Sequence, residues 1–296
     1  MAVTTAEMLL PAADSFDLRA TVLSHGYYEL APCVWTPAPR PTLERVERLE
    51  GRGVYLVRLR MARTGAGVVM RATGPDGDQV EALAPLAVRM RRVLRLDETF
   101  ADFRLLCQRD PALRPIVRLG LCRMLRGATL FEDVVKTIAA SNTNWAGALQ
   151  TIGRLGNLGS PCAADRRRHA FPTPAQVVRL GEDELRRRTR LGYRADYIAR
   201  LAREVSEGLR DLDRLDAAAA TMPLDDLAAA LGEIRGIGPV AAGWLLLLLG
   251  RYERPTPTVG AAGVAEHGVW QGLTLWFQQW LASEHPAVGT LRRIDD

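Results

Sequence analysis

The sequence predicts an α+β protein: an N-terminal antiparallel β-sheet domain over residues 1–84, followed by an all-α domain over residues 85–296. Three observations predict it. Val54-Tyr55-Leu56-Val57-Arg58-Leu59-Arg60 partly alternates apolar and polar side chains, as a half-buried strand does. Gly65-Ala66-Gly67 and Gly74-Pro75-Asp76-Gly77 punctuate the same region as turns, with Val68-Val69-Met70-Arg71 extended between them. From Leu86 onward the apolar positions recur at helical spacing and continue to do so.

Composition narrows the classes further. The chain has 296 residues, 48% hydrophobic and 25% charged, which excludes disorder over its whole length. Its 26 glycines and 17 prolines follow no period, which excludes collagen-like repetition. The longest clean apolar run, Trp244 to Leu249, is far short of the roughly 18 residues that a membrane span needs, so no membrane association is expected. The first arginine is Arg19, so no basic segment precedes the Met8-Leu9-Leu10 patch and no secretory signal is expected. Cys33, Cys107, Cys122 and Cys162 are too scattered for a zinc or iron–sulfur pattern and read as buried reduced thiols of a cytoplasmic protein, nucleoid-associated if bacterial. The net charge is +5, and of the basic residues only Lys136 is lysine, beside 38 arginines. That balance permits nucleic-acid binding without demonstrating it, and any amine chemistry has one candidate.

Taken in order, Phe16 to Trp35 can supply two strands, and Gln79-Val80-Glu81-Ala82-Leu83 follows the second turn. Pro85 suits the start of a helix whose apolar face carries Leu86, Met90, Val93 and Leu94. Phe131 to Ala140 is a second helix. In Phe171-Pro172-Thr173-Pro174-Ala175-Gln176, Thr173 can cap, Pro174 suits the first helical position and Gln176 completes a capping box. Tyr197, Ile198, Leu201, Ala202 and Val205 form one apolar stripe, and Pro223 opens a helix through Leu231.

The segment richest in function lies near residues 231–244. A helix ends, Gly236-Ile237-Gly238 turns the chain, and Pro239 starts a helix that is apolar nearly all round from Val240 to Leu249. Two glycines allow positive φ and close backbone approach. The amides at the new helix start point outward beside the positive end of the dipole, where a phosphate fits without a side chain. Ile237 anchors the turn. Such a helix–hairpin–helix grips a DNA backbone without reading sequence, although a plain αα-turn has the same local pattern.

Several blocks, in order, resemble the helix–hairpin–helix DNA glycosylases of base-excision repair, and most closely the branch of 8-oxoguanine and alkylpurine glycosylases. Leu130-Phe131-Glu132 leads to Ile138-Ala139-Ala140-Ser141-Asn142-Thr143-Asn144-Trp145, similar to the family's helix and Asn-rich lesion-site loop. Phe171-Pro172-Thr173-Pro174 and Leu191-Gly192-Tyr193-Arg194-Ala195-Asp196-Tyr197-Ile198 resemble two further blocks, and the hairpin follows. The resemblance covers roughly Leu86 to Tyr252. It implies a monomer that binds double-stranded DNA, flips out a damaged base and cleaves its N-glycosidic bond. It implies that Gly236, Ile237 and Gly238 hold the DNA backbone and that Asn142 and Asn144 meet the gap in the stack. Tyr193 would wedge beside it, Arg194 would reach the estranged base or a phosphate, and Trp145 and Trp244 would line the base pocket. For Asn142 and Asn144 helix capping remains open, and for Tyr193 and Trp244 a place in the core. No metal and no cofactor is expected, a monovalent cation at the hairpin being the one ion left open.

The chemistry departs from the family's pattern. The catalytic Asp falls on Thr258 or Val259, neither of which carries a charge. Glu253 and Glu266 are weak substitutes. The lysine that bifunctional members carry after the hairpin is matched by Val240, and Lys136 lies on another helix. An active enzyme is therefore expected to be monofunctional and to act first on positively charged alkylpurines, whose departure needs least help. The alternatives are a catalytically silent DNA- or lesion-binding relative and an all-α interaction module.

Overall fold

Alternation of large apolar side chains, closed by glycine turns, builds the N-terminal sheet. The computed structural model describes residues 3–13, 16–75, 79–254 and 265–292. Among these, β1 (Val3–Pro11), β2 (Val34–Thr36), β3 (Thr42–Leu49), β4 (Gly53–Met61) and β5 (Gly67–Pro75) pair antiparallel in the order β1-β5-β4-β3-β2. The register sets Val57 opposite Ala72 and Met8 opposite Met70. Tyr55, Val57 and Leu59, every second residue of β4, are buried in the main core. Leu56 faces the other side, where it joins Val46, Cys162 and Ala170. The turn around Gly65 and Gly67 is the one the sequence marks, and a Cβ on Gly67 would sit 2.2 Å from the Leu10 carbonyl oxygen.

Residues 16–35 correct one expectation. Instead of two strands they form α1 (Leu18–Val22), a 3₁₀ turn at Gly26–Glu29 and only the short β2. Asp17 starts α1 by accepting a hydrogen bond from the Ala20 amide at 3.0 Å, an N-cap that outweighs the local strand propensity. A second correction concerns Pro85. It lies inside α2 (Gln79–Leu94), which begins within the segment assigned to the sheet domain. Ala82, Leu83, Leu86, Met90 and Val93 are buried together against the sheet, and this packing outweighs the one backbone hydrogen bond that proline cannot donate.

The helices that follow are α3 (Ala101–Arg109), α4 (Arg114–Arg118), α5 (Leu130–Ala140), α6 (Trp145–Gly156), α7 (Pro174–Leu180), α8 (Glu182–Thr189) and α9 (Arg194–Ser206). They continue with α10 (Leu212–Ala218), α11 (Leu224–Gly232), α12 (Pro239–Leu248), α13 (Gln271–Ala282) and α14 (Pro286–Arg292). Thr173 caps α7 in the expected box: its hydroxyl accepts from the Gln176 amide at 3.3 Å and Gln176 accepts from the Thr173 amide at 3.0 Å. No helix among the described residues is long and apolar enough to cross a membrane. The four cysteines are buried and unpaired.

Two hydrophobic cores meet at α12. Leu245, Leu246 and Leu248 pack with the sheet, α2, α5 and α9, whereas Leu247 packs with Phe103, Met124, Leu273 and Phe277. Arginines hold the C-terminus of α12. Arg95, fully buried, donates to the carbonyls of Leu247 at 2.8 Å and Leu248 at 2.5 Å, and Arg126 donates to Leu248 at 3.1 Å. Cationic donors there satisfy terminal carbonyls and oppose the negative end of the dipole. The N-terminus of the same helix is left open at the hairpin.

Candidate nucleic-acid interface and base pocket

The hairpin is built as the glycine spacing demands. Gly236 has φ +95°, and a Cβ there would lie 2.6 Å from the Tyr197 ring, so both its conformation and its neighbour require glycine. Ile237 and Ile234 are buried beneath the turn. Gly238 is the N-cap of α12 with no side-chain cap, and Pro239 takes the first helical position. The Val240 and Ala241 amides are therefore left without helical partners beside the positive end of the dipole, the arrangement that accepts a phosphate oxygen. Arg235 lies over Tyr197, 5.4 Å from the ring centroid, and its exposed side chain reaches Asp196 at 3.5 Å.

The loop between α5 and α6 comes to the same place. Asn142 adopts φ +50°, and its Nδ2 donates to the Tyr193 hydroxyl at 2.9 Å. Tyr193 is 52% exposed, which removes the core alternative for this ring. Asn144 accepts from the Gly147 amide at 2.8 Å and so caps α6, the bland alternative for this residue. Arg194 Nη1 donates to the carbonyls of Ala139 at 2.6 Å and Ser141 at 2.7 Å, and Nε donates to Leu191 at 3.1 Å. These bonds hold the end of α5 and shape the loop, so in this state most of the guanidinium is spent on backbone rather than on a phosphate.

Between the hairpin and α13 opens a cavity of about 1000 Å³. Asn142, Tyr193 and the hairpin line one side, with Trp145, Trp244, Trp276, Trp280, Tyr27 and His25 supplying aromatic surface. Trp244 meets Trp276 edge-on at 4.5 Å between centroids, and Trp276 stacks on Trp280 at 5.8 Å. The indoles are pinned to residues distant in sequence: Trp276 Nε1 donates to the Ser24 carbonyl at 3.2 Å, and Trp280 Nε1 to that of Leu23 at 3.0 Å. Trp145 donates to Glu29 at 2.8 Å, and His285 stands 3.2 Å from the same carboxylate oxygen. Burial, helped by the positive charges of Arg95 and Lys136, lowers the His25 pKa to about 3, so this ring is neutral at ordinary pH.

His25, Tyr27, Glu29, Trp280 and His285 escape a sequence reading. The only signal available is the spacing of Trp276 and Trp280, which puts both on one helix face. Lys136 also lines the cavity although it lies on α5. Its ammonium pairs with Glu132 at 2.6 Å and stands 4.1 Å above the centroid of the Tyr27 ring. Against the opposing pull of burial, Arg45 and Lys136 hold the Glu132 carboxyl well below the usual range. Among the described residues lining the cavity there is no Asp or Glu. Glu253, the suggested substitute, is paired with Arg251 at 2.9 Å and is not part of this lining. Thr258 and Val259 lie outside the described residues, and Glu266 falls in the 3₁₀ segment Ala265–Trp270. No group of three or more potential metal ligands occurs among the described residues.

Comparison with solved structures accounts for this arrangement. The MBOgg1 protein, solved in complex with a low-affinity DNA ligand, superposes with a TM-score of 0.69 at 18% identity over 100% of both chains. The 3-methyladenine DNA glycosylase from Archaeoglobus fulgidus gives 0.68 at 16% identity, over 94% of this chain and 98% of that one. The apo 8-oxoguanine glycosylase/lyase of Clostridium acetobutylicum gives 0.63 at 16%, with the same coverage. The chain has the DNA glycosylase fold. An N-terminal antiparallel sheet, a helical body and a hairpin opening on a cavity are thus parts of one glycosylase-type architecture. At the level of sequence, no family model and no curated protein matches.

Proposed function

We propose that this protein is a monofunctional DNA glycosylase of base-excision repair, which grips duplex DNA through its hairpin and takes an extruded damaged base into the aromatic cavity. The observation that carries this reading is a convergence: backbone-gripping amides at 238–241, the Asn142–Tyr193 pair and a tryptophan-lined cavity of about 1000 Å³ border one space. A nucleotide pulled from the stack needs all three: a hold on its phosphates, a filler for its gap and a receptor for its base. The DNA ligand of one structural neighbour and the glycosylase activities named for two others support the same reading.

In the hydrolysis, the C1′–N bond breaks with its electron pair leaving on the base. Water adds at C1′ and gives up a proton. A carboxylate near the sugar stabilises the positive charge that develops there. Lyase chemistry would need a free amine at C1′, and the amine of Lys136 is spent on Glu132 while Val240 stands at the hairpin. Aromatic faces suit a cationic alkylpurine, which also leaves with least assistance. The absence of a carboxylate from the described lining favours one other reading, a silent relative that recognises lesions without excising them.

The deciding experiment incubates the protein with duplexes carrying single lesions and looks for alkali-labile abasic sites. N3- and N7-alkylpurines are expected to react first, with no borohydride-trapped adduct. Preferential binding of these duplexes without abasic sites would establish the silent reading, and a trapped adduct lost in Lys136→Ala would overturn the monofunctional one.

A further inference from the structure

His25 lines the cavity and is 6% exposed. The hydrogen bonds around it fix its tautomer. Nδ1 lies 3.1 Å from Ser24 Oγ, and Ser24 has one hydroxyl hydrogen to give. That hydrogen goes to the Thr21 carbonyl oxygen at 2.7 Å, which can only accept. Ser24 Oγ also accepts from the Leu125 amide at 3.4 Å. Toward His25 it is therefore an acceptor, and Nδ1 carries the proton of the neutral ring. Nε2 is left with a lone pair and has no hydrogen-bond partner in the structure, although it is screened from solvent.

Its neighbours on the aromatic wall have no such vacancy. The Tyr27 hydroxyl donates to Asp133 at 2.6 Å, Lys136 to Glu132, Trp276 to Ser24 and Trp280 to Leu23. The His25 ring cannot swing to find another acceptor's company. Tyr27 stacks on it at 5.6 Å, Trp276 meets it edge-on at 6.3 Å, and Nδ1 is tethered. A buried acceptor without a partner is costly and uncommon in a folded protein. A ring held rigidly in a cavity wall with that lone pair unused is poised for a donor that arrives through the cavity.

Resting on the reading of this cavity as the receptor for an extruded base, we propose that His25 Nε2 accepts a hydrogen bond from an N–H of that base. The substrate class is then a base whose inserted edge presents a ring or exocyclic N–H. A base whose edge offers acceptors alone would set lone pair against lone pair, and a buried site that loses its partner discriminates strongly.

The test uses the full chain and short duplexes that differ at one nucleotide mispaired with cytosine. The nucleotide is adenine, 2-aminopurine or unsubstituted purine, the last having no N–H on the base. Affinities are read by fluorescence anisotropy. Wild type is expected to bind an amino-bearing duplex about tenfold more tightly than the purine duplex. His25→Phe, which keeps a ring against Tyr27 but no lone pair, is expected to bring the ratio close to unity. A wild-type ratio near unity, or a ratio that survives in His25→Phe, overturns the proposal. If His25→Phe fails to fold, the wild-type ratio and His25→Gln, which retains an acceptor and is expected to keep the preference, decide in its place. A duplex bearing a tetrahydrofuran abasic analogue separates the two levels. Wild type that prefers this duplex to an intact one but ignores the amino group retains the base-receptor reading and loses the His25 contact. Wild type with no preference for it loses both.

Discussion

The hairpin wall and the tryptophan wall of the cavity differ in what they leave free. On the hairpin wall the offered groups are main-chain amides after Gly238 and exposed side chains such as Tyr193 and Arg235. On the tryptophan wall Trp280 and His25 are buried, and the indole N–H groups of Trp276 and Trp280 are already committed to carbonyls of the N-terminal segment. A wall of backbone donors suits a partner whose phosphates are the same at every position. A wall of locked rings suits a partner that must fit. Changes on the first should alter binding and spare folding, whereas changes on the second should do the reverse unless they touch the one unspent group.

Removing a locked ring is the largest expected effect. Trp280→Ala deletes a buried side chain and its hydrogen bond to Leu23, and should cost about 3–5 kcal/mol of stability, read by denaturant unfolding. Gly236→Val comes next, and it tests whether the hairpin wall is entirely free of folding constraint. The positive φ alone should cost about 1–3 kcal/mol, and the overlap with Tyr197 adds to it. Duplex affinity should fall with stability. Gly238→Val is the counterpart. Its φ of −88° and the open space around a Cβ predict unchanged thermal stability with a several-fold loss of affinity for every duplex sequence alike. A drop in melting temperature of many degrees for Gly238→Val would break the distinction between the walls.

Acid should act on the tryptophan wall through His25. Its folded-state pKa, near 3, lies below the ordinary 6.5, so the unfolded chain binds the proton more readily. The contribution of neutral His25 to stability is complete above pH 6.5 and is lost as pH falls from there toward 3, by at most about 1.4 kcal/mol per pH unit. Unfolding measured across this window should show a shallower acid loss for His25→Phe than for wild type, and identical slopes would remove His25 as the cause. Tyr193→Ala is the smallest change in stability, below about 0.5 kcal/mol for an exposed ring. It should reduce the preference for an abasic over an intact duplex several-fold, and loss of stability without loss of preference would return this ring to the core.

The hairpin wall was readable because its information is local. Gly236-Ile237-Gly238-Pro239 states a turn, a buried anchor and a helix start within four consecutive residues, and Thr173 with Gln176 states a cap in the same way. The tryptophan wall was not, because its partners are far apart: Trp276 is tied to Ser24 and Trp280 to Leu23, across most of the chain. Residues 16–35 were misread for a related reason. Asp17, an unremarkable acid in sequence, caps a helix, and the loop after it gains its role only when α13 packs on it. In β3, Thr-Leu-Glu-Arg-Val-Glu-Arg-Leu does not look like a buried strand, because Arg45 and Glu47 enter the interior as an ion pair with each other and, through Arg45, with Glu132. A charged side chain whose partner lies on another element reads as surface until the fold brings the two together.

The arginine clamp on the last carbonyls of α12 makes that helix behave as a strut. Its ten residues span about 15 Å, with the phosphate-facing amides at one end, Trp244 part-way along and Arg95 and Arg126 fastening the other. Tension applied where DNA is held therefore travels down the same rod that carries a wall of the base cavity and ends on a guanidinium buried between the two cores. Seizing the backbone and offering a seat to the base are mechanically one act, and the anchorage that lets the strut bear the load lies at the end farthest from the DNA.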